Sequence, residues 1–102
     1  MIIRRHILHL SGLRCEIETR IGDRFLSLGF DREHNPAIWV VSDENAKIVR
    51  SGLICLSTEQ RIQGVGFFLG TINDGAGVWH IFTDRNPTIR MFSTDVGFWH
   101  YD

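Results

Sequence analysis

The sequence predicts an all-β fold, a small antiparallel sandwich or barrel-like sheet of about seven to nine strands with at most one short helical turn. Three observations carry that expectation. Apolar residues either alternate with polar ones or run in short blocks separated by Gly, Asn, Asp and Pro clusters at roughly ten-residue spacing. No segment holds a helical period over a length that would make a helix. The chain of 102 residues, 43% hydrophobic and 11% aromatic, is the size of one domain with one ordinary core.

The elements follow in order. Ile2 to Leu10 is rich in β-branched and aliphatic residues and reads as a strand. Arg14 to Ile21 alternates: Cys15, Ile17, Thr19 and Ile21 point one way, and Arg14, Glu16, Glu18 and Arg20 the other. The pattern is that of a half-exposed antiparallel strand, and the two segments together read as a hairpin. Gly22-Asp23 is the next turn, and Phe25 to Phe30 follows with Leu26, Leu28 and Phe30 on one face. Asn35-Pro36 marks another turn. Ala37 to Val41 is apolar on both faces, as a central strand must be. Ser42 to Asn45 breaks it, and Lys47 to Leu56 forms a strand with Gly52 as a place for a bulge. Ser57-Thr58-Glu59-Gln60 has the form of a capping box and would open a single helical turn through Ile62. Phe67 to Ile72 and Val78 to Phe82, joined by Asn73-Asp74-Gly75-Ala76-Gly77, form a hairpin.

Residues 1–82 thus make the core domain, and residues 83–102 an extension. That extension contains Ile89, Met91, Phe92, Phe98, Trp99 and Tyr101, too many apolar groups to stay in water. It packs on its own core or on a second subunit, where an aromatic terminus is a good anchor. A homo-oligomer is therefore expected.

Composition narrows the functional classes. The net charge is -1, so global charge points neither to long nucleic acid nor to an anionic membrane. No apolar run would span a bilayer and the start does not read as a signal peptide, so a cytoplasmic protein is expected. Cys15 and Cys55, the two cysteines, both sit in apolar strand contexts and read as free core thiols. Ten of the eleven basic residues are Arg, with Lys47 the exception. Arg supplies a planar fork for carboxylate or phosphate and stacks on aromatic rings.

Catalytic and metal signatures are missing from the sequence. The five histidines, His6, His9, His34, His80 and His100, show no zinc-site spacing, and His6 and His9 point to opposite faces of a strand. Ser27, Ser51 and Ser93 lack the nucleophile-elbow frame. Gly64-Val65-Gly66 lacks the Lys and Ser/Thr of a phosphate loop. Glu16 and Glu18, about 7 Å apart on one strand face, lie between Arg14 and Arg20 and fit a cross-strand charge ladder better than an acid–base pair. No metal and no cofactor is expected. What remains is Arg with aromatics. Trp39 and Trp79 sit inside apolar strands and read as core, so the binding candidates are Arg90, Trp99, His100, Tyr101, Arg85, Arg4 and Arg5.

Pro36 to Asp43, Leu26-Ser27-Leu28, Phe68 to Ile72 and Val78 to Phe82 stand in an order and spacing that resembles a small domain of unknown function found in bacteriophage and prophage genomes. The resemblance covers about residues 1–82. Such relatives often carry Gly-Thr-Gly-His before the penultimate hairpin, where this chain has Leu56-Ser57-Thr58-Glu59-Gln60. The resemblance implies a phage origin and no assigned reaction. The expectation is a non-enzymatic phage protein that counteracts host defence by stoichiometric binding. Its target would be a nucleotide-type immune signal or a host defence protein, as an anti-CRISPR protein would block. A virion or assembly component and a small hydrolase are the alternatives from other classes.

Overall fold

The computed structural model describes residues 1–10 and 14–91. Seven strands follow one another: β1 (Ile2–Ile7), β2 (Arg14–Arg20), β3 (Arg24–Phe30), β4 (Pro36–Ser42), β5 (Ile48–Ser57), β6 (Val65–Asn73) and β7 (Val78–Asp84). They form two antiparallel sheets, one ordered β1-β4-β3 and the other β2-β5-β7-β6. The all-β sandwich expected from the alternation is the fold. Among the described residues there is no helix, and so none long and apolar enough to cross a membrane.

The core lies between the sheets. Ile38 and Val40 of β4 meet Leu53 and Cys55 of β5, Ile81 of β7, and Leu69 and Ile72 of β6. Ile38, Val40, Leu53, Cys55 and Ile81 are all fully buried, and each large aliphatic among them contributes about 2 kcal/mol of burial. β4 is the central strand of its sheet, as its two-sided apolar character requires. Ile17 and Thr19 of β2 face this core while Arg14, Glu16 and Glu18 face water. Ile21, expected on the inner face, lies past the end of β2 and is exposed.

Three local expectations need correction. β1 and β2 do not form a hairpin: β1 pairs with β4 and β2 with β5, in different sheets. The reason lies at Leu8. Its amide donates to the Pro36 carbonyl at 2.8 Å and its side chain enters the core, so the chain follows β4 past the end of β1. Gly52 is not bulged; the β2–β5 register runs regularly through Glu16↔Gly52. The irregularities fall between Phe25 and Ser27 and along Val65, Phe68 and Gly70. Gly52 instead lies beneath the ion pair of Arg14 and Asp84 (2.9 Å), leaving the space where a Cβ would meet both side chains. Finally, Ser57 and Gln60 make the box contact, the Ser57 amide donating to Gln60 Oε1 at 3.0 Å, yet no helical turn follows. Glu59 takes a left-handed φ of 74° and turns the chain aside.

The β6–β7 hairpin forms as expected. Asp74 Oδ1 accepts from the Ala76 and Gly77 amides at 2.9 and 2.8 Å, and Gly75 supplies the positive φ of 88°. These donors hold the Asp74 carboxyl below the usual carboxylate range. The charge ladder also forms. Glu16 takes Arg14 at 3.4 Å on its own strand and Arg50 at 3.6 Å on β5.

The start of the extension packs on its own core. Ile89 is buried and Met91 packs against the same cluster. The Arg90 amide donates to the Asp23 carbonyl at 2.7 Å, and the Phe25 amide to the Arg90 carbonyl at 2.8 Å, adding a parallel bridge outside β3.

Candidate functional site

The second sheet is apolar on both faces. Leu53, Cys55 and Ile81 point into the sandwich. The alternate residues point away from it: Ile54 opposite Phe82, Phe68 opposite Phe82, and Leu56 opposite His80. An outward sheet face is normally wetted and polar. Here Leu56, Val65 and Phe82 form a second buried cluster, with Ile54, Ile62 and Phe68 packed on it. Its cover is the loop from Thr58 to Gly64, whose turn at Glu59 brings Ile62 back over the sheet. The Phe68 and Phe82 rings meet at 5.2 Å with their planes 54° apart, a favourable tilted pair.

The loop does not seal the face. A cavity of about 310 Å³ opens between it and the sheet, at the lower end of the size range for small-molecule sites and large enough for one ring system. Leu56, Ile62, Phe68 and Phe82 give it apolar walls, and Ser57, Thr58 and His80 bring polar groups to it. His80 is clamped. Its Nε2 lies 3.1 Å from Thr58 Oγ1 and its Nδ1 lies 3.1 Å from Thr71 Oγ1. A neutral imidazole donates through one nitrogen and accepts through the other, and either hydroxyl can answer either role. With both nitrogens engaged, the ring stands as a fixed wall of the cavity.

A second hollow of about 470 Å³ lies between the Asp31–Pro36 loop and the β6–β7 turn, beside Leu10, Phe30, His34 and Asp74. It is more polar, with His34, Asn73 and Asp74 beside Leu10, Phe30 and Pro36 in its lining. Among the described residues no group of three or more His, Cys, Asp or Glu is placed to hold a metal ion.

The Arg candidates are not gathered into one site. Arg5 pairs with Asp31 at 3.2 Å. That carboxyl is held below the usual range, first by the Asn35 amide and also by the Glu33 amide. Arg4, opposite Val40, is partly buried beside Glu18, Thr19 and Arg20, and its Nε has no hydrogen-bond partner among the described residues. Arg90 is exposed beyond β3, so β4 and β3 lie between it and β1 within the sheet. Arg85 has its side chain beside Gly64, where the covering loop ends, and does not line the cavity. Trp99, His100 and Tyr101 lie outside the described residues. Trp79 packs on the main core as expected, whereas Trp39 is partly buried on the opposite face of its sheet, over Gly29.

Sequence reasoning missed His80 and the outward cavity. A signal was present. Leu53 to Leu56 and Ile81-Phe82 are apolar at consecutive positions, which requires cover on both sides of the second sheet.

No curated protein matches the chain, and no solved structure does. A family match covers residues 1–90, from β1 through the bridge that Arg90 makes on β3. The chain belongs to the family described as a domain of unknown function, DUF7352.

Proposed function

We propose that this domain is a non-enzymatic binding protein whose outward cavity takes a flat, ring-bearing ligand of nucleotide type. The observation that supports it is the cavity over Phe68 and Phe82 with His80 fixed at its edge. Apolar walls favour the face of a base, and the hydroxyls of Ser57 and Thr58 suit its hydrogen-bonding edge. A phosphate would point past the covering loop, where Arg61 is exposed and Arg85 stands beside Gly64. Both His80 nitrogens are committed to threonines, which favours holding a ligand over transferring a proton. In a phage setting, stoichiometric capture of a nucleotide immune signal would counteract host defence.

The test is a thermal-shift panel of linear and cyclic nucleotides and free nucleobases. A true ligand at 100 times its Kd stabilises by about 2.7 kcal/mol, a rise of roughly 10–20 °C for a domain of this size. The ligand should be recovered intact after denaturation. Ile62→Glu, in the loop and not in a strand, should leave a folded protein and abolish the shift. Recovery of an altered ligand would make the protein an enzyme. No shift with any nucleotide would overturn the reading and favour blockade of a host protein.

A further inference from the structure

The two cysteines are far apart in sequence, and the β2–β5 register brings them together. Cys15 is opposite Leu53, so Cys55 is its diagonal neighbour two residues further along β5. Side chains so related share a face and are within reach of each other. The two thiols are close enough to influence each other, with the Cys55 S–H as the donor toward Cys15 Sγ. The backbone amide of His9, in the segment after β1, also donates to Cys15 Sγ, and the His9 imidazole lies close enough to favour a negative charge there.

The pair is asymmetric. Cys55 is fully buried at the centre of the second sheet, whereas Cys15 is partly exposed on the edge strand β2. Burial in apolar surroundings keeps Cys55 from reacting directly with dissolved reagents. An accessible cysteine with donors at its sulfur is the reactive kind.

We propose that Cys15 and Cys55 form a dithiol–disulfide exchange site, with Cys15 the attacking sulfur and Cys55 the resolving one, and low-molecular-weight disulfides as co-reactants. Cys15 Sγ, as thiolate, attacks one sulfur of the small disulfide. A Cys15–sulfur bond forms, the small disulfide's own S–S bond breaks, and one small thiolate leaves. Cys55 then attacks Cys15 Sγ and expels the second small thiolate, which ends with the Cys55 proton. The two cysteines lose two electrons and the small disulfide gains them. Closing the pair brings the two sulfurs to the bond length of about 2.0 Å, with the two strand backbones adjusting to meet disulfide geometry. The same contacts favour the first step. The Cys55 hydrogen bond is the main reason the Cys15 thiol is held down at about 6, while that contact and burial push the Cys55 thiol up.

The experiment uses the reduced full chain and excess oxidised glutathione, with alkylation under denaturing conditions and intact-mass readout. The wild type should lose the mass of two hydrogens, carry no glutathione and take no alkyl group. A non-reducing peptide map should place the bond between the Cys15 and Cys55 peptides, which tests the pair without any substitution. Cys55→Ala should stop at one glutathione on Cys15, and Cys15→Ala should react many-fold more slowly. Two alkylatable thiols in the treated wild type would overturn the proposal. So would a persistent glutathione adduct on the wild type, or a disulfide that joins two chains through Cys15.

Discussion

His6 shows how a strand position can set a pH dependence. It lies on β1 opposite Ile38, a fully buried residue, and its Nε2 is buried with no hydrogen-bond partner among the described residues. Burial lowers its pKa, with Arg4 adding to the effect and Asp23 opposing it. The folded state therefore binds the proton less readily than the unfolded chain. Its contribution to stability is present above the ordinary imidazole value of about 6.5 and is lost as pH falls through the lowered one. Cys15, held down from 9.0 to about 6, loses its own contribution with the same sign as pH falls from about 9 to about 6 and so overlaps the measured range; the measurement therefore belongs in a Cys15→Ala background. There, the urea midpoint should fall between about pH 8 and pH 5, and His6→Asn should flatten that fall. Parallel curves for the two proteins would show that His6 carries none of it. At this scale the sequence was only partly legible. The alternation of Arg14, Cys15, Glu16 and Ile17 named their faces, because side-chain direction is local. The meeting of Cys15 with Cys55, and of Thr19 with Ser51 at 2.6 Å, depends on which strands pair, which no local pattern encodes.

At the scale of elements, two glycines in the second sheet mark different constraints. Gly52 in β5 lies under the side-chain ends of Arg14 and Asp84, whereas a Cβ at Gly66 in β6 would fall on the Asp84 carbonyl oxygen of β7. Side-chain ends can swing aside; a strand backbone cannot without breaking its ladder. Gly66→Ala should therefore cost about 3 kcal/mol, the upper part of the range for overpacking, and Gly52→Ala markedly less. Urea midpoints measured side by side decide it, and a reversed order would show that the Arg14–Asp84 pair, not the β6–β7 contact, is the rigid one. The legible elements were those whose signal is local. Asn73 to Gly77 specifies a tight turn, and β4 announces its central place by being apolar on both faces. The β1–β2 hairpin misled because two adjacent strand patterns do not say whether the chain turns back or crosses to the other sheet. The covering loop was misread for a related reason: a capping-box spacing closes a turn equally well when the next residue goes left-handed. The cavity followed from that loop and stayed hidden with it.

For the whole molecule, the question is whether the two sheets are separable. The first has three strands, and its β4 residues Ile38 and Val40 find their apolar partners mainly in the second sheet. A three-stranded sheet deprived of its apolar face has little independent stability. The extension adds a further tie, because Ile89 sits in the shared core while Arg90 is bonded to the first sheet. The domain should thus unfold as one unit, and its tryptophans allow each sheet to be watched. Trp79→Phe with Trp99→Phe leaves Trp39 to report the first sheet; Trp39→Phe with Trp99→Phe leaves Trp79 to report the second. Within each variant, the fluorescence and far-ultraviolet circular dichroism transitions in urea should coincide, as a two-state domain requires. Ile38→Ala, a substitution in the first sheet, should cost about 2–5 kcal/mol and shift the Trp79 transition as far as the Trp39 one. If the Trp39 signal moves while the Trp79 transition stays in place, the first sheet opens on its own. The shared core would then be a contact between two weakly coupled layers.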